Sequence, residues 1–359
     1  MIGARIEKLR SLMAGEGLDG LLLCSCANQS YITGADFHDG YVVVNERGCF
    51  AVVDFRYLEA VKNCAADGVE VVLAEGGTLK RAIELLTCNG AKRVACEGEE
   101  ISHADFERAQ ALLGDFAELS GGAGKLLLSM RAVKSPEEIK KTEAAQSITD
   151  RAFSHIISVM TPNMTEREVA LELEYFMRKQ GADKMAFDVI AVSGSASALP
   201  HGVPRNVRLE RGFLTMDFGA MVDGYCSDMT RTVVIGKADG EMKRLYSTVL
   251  LAQQTALDAL EAGLSCAKAD KIARDIINGA GYEGCFGHSL GHGVGKYIHE
   301  APNLSSRSEA VLEAGNVVTV EPGIYIEGKY GCRIEDMVAV TNNGIYNFTK
   351  SKKELIELF

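Results

Sequence analysis

Two acidic residues interrupt a stretch that otherwise reads as an apolar strand pair, "LTMDFGAMVDGYCSDMTRT" at 214–232, which carries Asp217 and Asp228. A two-residue turn at Asp223–Gly224 would set Asp217 opposite Thr230 and put Asp228 on the same face. A three-residue loop would instead send the two carboxylates to opposite faces. A second run, "VVTVEPGIYIEGKYGCRIEDMVAV" at 317–340, repeats the anomaly with Glu321 and Glu335. A loop centred on Gly328 places these two directly across from one another, and Pro322 removes a backbone donor at a strand end. Four carboxylates cannot be buried together uncompensated: desolvation is costly and mutual repulsion favours protonation. A pair of divalent cations resolves the conflict by supplying about four positive charges. The plain alternative is that the acids face solvent, which the apolar character of 214–218 disfavours.

Histidines gather nearby in the sequence. "FGHSLGHGVGKYIHEAP" at 286–302 holds His288, His292 and His299 among only seven histidines in the chain. The spacing of the first two would suit one helix turn, but Gly287, Gly291, Gly293 and Gly295 disfavour a helix. An extended segment lined with glycine lets the backbone approach a ligand closely. His201, in "SASALPHGVP" at 195–204, lies on a proline-bounded loop. A lone histidine there is ordinarily a hydrogen-bonded structural residue; three in a dozen residues beside four misplaced acids point to chemistry.

The elements that must position these groups are legible at low resolution. The first part alternates helix and strand: a helix from residue 2, a strand at "DGLLLCS", and a hairpin at "YVVVNERGCFAVVD" turning near Asn45–Gly48. Helix, strand, helix, strand and helix follow, the last capped by Ser102. This predicts an α/β domain of mixed sheet over 1–125. Residues 126–135, which follow a glycine-rich start at 121–124, are expected as a linker. From 136 to 359, two helices followed by strands occur twice: helices at 136–160 and 165–181 before strands at 186–193 and 212–236, then helices at 240–262 and 268–280 before strands at 284–300 and 316–341. That order predicts a pseudo-twofold α/β unit. Ser135 with Glu138, and Thr165 with Glu168, are capping boxes.

Composition sets the outer bounds. The 359 residues exceed one ordinary core, and 47% hydrophobic with 24% charged residues is ordinary for a globular protein. A net charge of −11 disfavours nucleic acid or anionic membrane as a partner. No run of about 18 apolar residues predicts a membrane span, and the amphipathic N-terminus predicts no secretory leader. Ten scattered cysteines without a CxxC pair disfavour a zinc knuckle and fit a reducing cytoplasm.

"MDFGAMVDGYCSDMTRT", "HSLGHGVGKYIHE", "VEPGIYI" and "CRIEDMV", in this order, resemble the pita-bread metallopeptidases, in the aminopeptidase P and Xaa-Pro dipeptidase (prolidase) branch. "DGLLLCSCANQSYITG", "VDFRYLEAV" and "RAVKSPEEI" resemble more loosely that branch's creatinase/prolidase-like N-terminal domain and junction. The resemblance implies an α/β (α+β) protein with a C-terminal pita-bread catalytic domain. It implies two divalent metal ions, with Asp217 on one, His292 and Glu321 on the other, and Asp228 and Glu335 bridging. Such an oxygen-rich set without thiolate suits Mn²⁺ first, with Co²⁺, Zn²⁺ or Fe²⁺ as alternatives. It implies Glu321 as proton shuttle, His201 and His299 facing substrate, His288 near the site and Arg333 behind the bridging glutamate. One departure is "PHGVPRN", where relatives often carry Ser-Asp after the second proline.

The implied activity is cleavage between an N-terminal residue and a following proline by a hydroxide bridging the two metals. The implied partner is a peptide or dipeptide with proline second, with no nucleic acid, no membrane and a homodimer as the family's habit. A dipeptidase would pair the substrate carboxylate; Arg56, Arg47 and His38 are possible partners, each also readable as a solvated surface residue. Two other readings are a metal-free creatinase-like amidinohydrolase and a non-catalytic binding homologue of the same fold. The full set of five ligand types disfavours both.

Overall fold

The computed structural model describes residues 2–88 and 90–359. The chain divides into two compact units, one ending at Met130 and the other running from Arg131 to Phe359. The stretch 126–135, expected as a linker, is mostly helix, Ala123–Ala132. Ala123, Leu127 and Met130 recur at helical spacing and are buried in the first unit's core, so apolar periodicity prevails over the glycines beside it.

Six strands form the sheet of the first unit, in the order Val69–Leu73, Cys49–Val53, Gly40–Asn45, Gly20–Leu23, Arg93–Cys96 and Glu118–Ser120. The central pairs are antiparallel and the outer ones parallel, which makes the sheet mixed. The hairpin turn is held by the Asn45 side-chain oxygen, which accepts from the Arg47 and Gly48 amides. Helices Phe55–Cys64 and His103–Leu113 start at side-chain caps from Asp54 and Ser102.

The second unit repeats itself. Helices Pro136–Val159 and Glu166–Lys179 precede the strands Ile190–Ser193, Gly212–Phe218 and Met229–Ile235, which are neighbours in that order. Helices Gly240–Ala259 and Cys266–Gly279 precede Gly291–Gly293, Val317–Val320 and Asp336–Thr341, again neighbours in that order. The halves also share a local device. The start of each second helix bridges the chain ahead of its hairpin, Thr165 with Arg208 and Ser265 with Val311. Both capping boxes expected at Ser135–Glu138 and Thr165–Glu168 are formed. Strand content around 284–300 is smaller than the glycine pattern suggests, and begins only at Gly291.

Helix Cys266–Gly279 buries Cys266, Ala269, Ala273 and Ile277 against helix Gly240–Ala259 and the second sheet. Helix Glu166–Lys179 does the same with Val169, Leu173 and Met177 against the first. Each fully buried Leu, Ile, Val, Phe or Met contributes roughly 1.5–3 kcal/mol, and this rigid backing fixes the hairpin faces opposite. Among the described residues no helix is long and apolar enough to cross a membrane.

Candidate metal centre

The first acidic hairpin turns at Asp223–Gly224, both with positive φ (50° and 72°), the conformation of a two-residue turn. The register that follows pairs Asp217 with Thr230. Between the regular segments the strands are pinched at Gly219, where a Cβ would lie 1.9 Å from the Ser227 carbonyl oxygen. In the second hairpin Val320 pairs with Asp336 and Gly323 with Arg333, so one register runs through the break and sets Glu321 across from Glu335. The hairpins are stitched together: the Glu335 amide donates to the Thr230 carbonyl at 3.2 Å and the Thr230 hydroxyl to Glu335 Oε2 at 2.7 Å.

His292 enters from a third strand. Side chains at Gly291 and Gly293 would lie 1.9 Å from Thr319 O and 2.3 Å from Ala301 O, so only glycine allows this strand its close approach. His292 Nδ1 meets the Gly293 carbonyl oxygen at 3.1 Å. A carbonyl only accepts, so Nδ1 carries the proton and Nε2 presents its lone pair. Nε2 lies 3.3 Å from Glu321 Oε1 and 3.5 Å from Asp228 Oδ2. Donor atoms of Asp228, His292 and Glu335 all fall within 4.8 Å of one another. Asp217 lines the same cavity; its Oδ2 accepts from Arg333 Nη2 at 2.7 Å, while its buried Oδ1 has no hydrogen-bond partner.

One cavity of about 480 Å³ is lined by nine of the residues singled out from the sequence, Asp217, Asp228, His292, Glu321, Glu335, His201, His288, His299 and Arg333, and not by Arg56, Arg47 or His38. Electrostatics in it are severe. Burial, then the Glu335, Asp217 and Glu321 carboxylates, push Asp228 well above the usual carboxylate range. Burial, then Glu321 and Asp217, do the same to Glu335. Burial pushes Glu321 up to about 8 against the pull of Arg333. Burial also lowers His292, which keeps its Nε2 lone pair free. Four carboxylates facing one guanidinium, a carboxylate oxygen with no donor, and an imidazole lone pair aimed at the acids form a set that fits divalent cations.

The histidines separate by partner. His299 stacks edge-on to His292 with ring centroids 4.3 Å apart, and His201 lies on the loop that walls the cavity. His288 has both ring nitrogens engaged, Nδ1 with the Ser289 carbonyl at 2.9 Å and Nε2 with the Tyr325 hydroxyl at 3.0 Å. Burial, then Arg333, push it down to about 4, so it is a neutral brace for Tyr325 with no ring nitrogen left for a substrate. Three residues given no role in the sequence reading carry weight. Tyr325 accepts from Arg333 Nη1 at 2.6 Å, Thr319 donates to Glu321 Oε1 at 3.0 Å, and Thr230 accepts from Arg333 Nε at 2.9 Å. Strand alternation carries the signal for Thr319 and Tyr325, which share the face of Glu321. Arg56 is held by Asp39 and Asp54 at 2.8 and 2.6 Å.

Comparison with known proteins agrees with this chemistry. Residues 140–342 match the model of metallopeptidase family M24, and residues 5–133 match the creatinase/prolidase N-terminal domain. A solved Xaa-Pro dipeptidase from Bacillus anthracis is 40% identical, superposes with a TM-score of 0.96 and covers 100% of both chains. A solved X-Pro aminopeptidase from Thermotoga maritima is 36% identical with a TM-score of 0.88, over 95% of this chain and 98% of the other. A Xaa-Pro dipeptidase of Pyrococcus horikoshii is 37% identical over 99% of both chains. Fold and site therefore define a two-domain metallo-exopeptidase. The chain belongs to metallopeptidase family M24, with a creatinase/prolidase-type N-terminal domain.

Proposed function

We propose that this chain hydrolyses the bond between an N-terminal residue and a following proline, using two divalent cations held by Asp217, Asp228, His292, Glu321 and Glu335. The observation that carries this reading is the convergence of two register-paired acidic hairpins and the His292 lone pair on one cavity. When bound, the cations acidify water and polarise the scissile carbonyl. Asp228 and Glu335, the most deeply buried of the acids, would hold the cations where water competes least. Arg333 holds Asp217 by a charge-assisted bond and leaves its other oxygen for a cation. Manganese is the cation we favour for so oxygen-rich a set.

Proton transfer falls to Glu321. Thr319 occupies its Oε1, which leaves Oε2 to take a proton and deliver it to the proline nitrogen as the bond breaks. His299 and His201 donate hydrogen bonds to the scissile carbonyl oxygen as it gains charge. His288 and Tyr325 keep Arg333 in place. The apolar walls Phe187, Val189 and Ile298 suit a small ring, and proline offers a tertiary amide without an N–H and a fixed φ. A cavity of about 480 Å³ is of the size that takes a small ligand. Relatives named for dipeptide and for aminopeptidase activity stand at similar identity, 40% and 36%. A metal-free amidinohydrolase would have no use for five intact donors.

Paired assays on Ala-Pro and on a longer Xaa-Pro peptide, with manganese or cobalt added, test the reading. Release of the N-terminal residue that depends on metal and disappears in Asp228→Ala supports it. Inertness toward both substrates, or full rate after exhaustive chelation, overturns it.

A further inference from the structure

The "PRN" at 204–206, which closes the loop carrying His201, has a structural use. We propose that Arg205 is a positioning residue of the reaction: clamped on the buried Glu166 carboxylate, it fixes the wall of the cavity that carries His201. The proposal rests on the assignment of His201 as a donor to the substrate carbonyl.

Glu166 is the first residue of helix Glu166–Lys179, and its side chain is fully buried. Its carboxylate accepts from the Ser193 amide and hydroxyl at 2.7 and 2.8 Å. It also accepts from the Arg205 amide, Nε and Nη2, at 2.9, 2.9 and 2.6 Å. One buried carboxylate thus ties together the two ends of the loop 194–204. The guanidinium engages both oxygens as a fork, a geometry lysine cannot reproduce.

Within that loop, the Ser197 hydroxyl accepts from the Gly331 amide at 3.0 Å, and the Pro200 carbonyl from Arg333 Nη1 at 3.2 Å. Both ties lie ahead of His201. Residues 201–204 all line the cavity, and Arg205 is the tether that follows them. Leu199 and Val203 stand exposed, 59% and 78%, so apolar packing does little to hold this wall. A misplacement of about 1 Å at a substrate-binding group is enough to lower rate or affinity strongly.

The second repeat ties its own histidine-bearing loop to an acid one helical turn further along its second helix. Buried Asp270 accepts from the Leu290 amide at 3.1 Å and from Arg274 Nε and Nη2, each at 2.8 Å. Arg274 in turn donates to the carbonyls of Phe286 and His288 at 2.7 and 2.9 Å. Both halves of the fold therefore anchor a cavity loop by a buried acid–arginine pair.

The test uses the full chain with manganese and three variants: Arg205→Lys, Arg205→Met, and the paired Glu166→Gln/Arg205→Met, which leaves no buried charge stranded. On Ala-Pro, Arg205→Met and the paired variant are expected to lower kcat about tenfold with KM within about twofold, and Arg205→Lys to recover part of the loss. In a His201→Ala background, Arg205→Met is expected to have no further effect on kcat. Amide hydrogen exchange, which needs no turnover, is expected to speed up at residues 201–203 and stay unchanged in helix Glu166–Lys179. Additive effects in the double variant, or unchanged exchange at 201–203, overturn the proposal. A wild-type protein inert toward Xaa-Pro peptides would sink the functional reading alone, because the exchange arm still reports on the clamp.

Discussion

Arg231 lies wholly inside the molecule, bonded to the backbone of Thr230 and Glu335 at the candidate site, and its loss has a calculable effect. The guanidinium pairs with Asp336 Oδ1 at 2.8 Å and donates to the carbonyls of Glu335, Thr230, Ser351 and Lys352 at 2.5, 2.9, 2.9 and 3.1 Å. Arg231→Met keeps most of the side-chain volume and removes every one of these bonds. Breaking a buried ion pair costs about 3–5 kcal/mol. Asp336 retains Lys353 at 2.7 Å and Asn347 at 2.8 Å, so its charge is not stranded and the lower end applies. For a unit the size of Arg131–Phe359, about 3 kcal/mol lowers the melting temperature by about 6–12 °C. Thermal unfolding of wild type and variant, followed by circular dichroism at one fixed metal concentration, reads the difference. Isothermal titration with manganese on the same samples should show weaker binding, because the Glu335 backbone loses its support. A melting shift below about 2 °C with unchanged metal affinity would refute the reasoning.

Three further outcomes follow from the site and its supports. Glu321→Gln should lower kcat on a Xaa-Pro dipeptide by roughly 10²–10⁴-fold, the usual worth of a general acid–base group; a loss under tenfold in stopped-point kinetics would take proton transfer away from Glu321. Cys226→Ser should leave metal content and turnover close to wild type, because burial pushes that thiol up to about 12 and its Sγ faces the Lys296 carbonyl at 3.8 Å; its resistance to iodoacetamide in the native protein checks the burial independently. Burial alone would raise the Glu166 carboxyl, but hydrogen bonds from Arg205 and Ser193 outweigh it and hold the group below its ordinary 4.5. The depressed value means that this stabilisation is complete above about pH 5 and is lost as pH falls through the folded-state value. Melting curves from pH 7 to pH 3 should show the wild type's advantage over Glu166→Gln/Arg205→Met shrinking only below about pH 4.5; an advantage independent of pH would contradict this.

Strand alternation and turn chemistry made much of the site legible. Asp223–Gly224 names its own turn, and with it the pairing of Asp217 and Thr230. Centring the second loop on Gly328 (φ 72°) gives the opposition of Glu321 and Glu335, even though the strands break between Val320 and Gly323. What local pattern does not encode is how one hairpin meets the other. Thr230 reaches Glu335, and Arg333 reaches Asp217, across more than a hundred residues. Alternation puts Tyr325 on the face of Glu321 but does not name its partners, since His288 and Arg333 come from different strands or loops. The glycines at 121–124 drew attention away from Leu127 and Met130, whose spacing makes that stretch a helix. No local pattern links Glu166 to Arg205, and only tertiary contact brings them onto Ser193.

The most direct measurement is the metal content of the purified chain after reconstitution with manganese, taken by elemental analysis beside wild-type hydrolysis of Ala-Pro. Two ions per chain in the wild type are predicted, with both binding and turnover abolished in Asp228→Ala and in Glu335→Ala. Full activity in Glu335→Ala, or turnover undiminished once all metal has been stripped, would contradict the account.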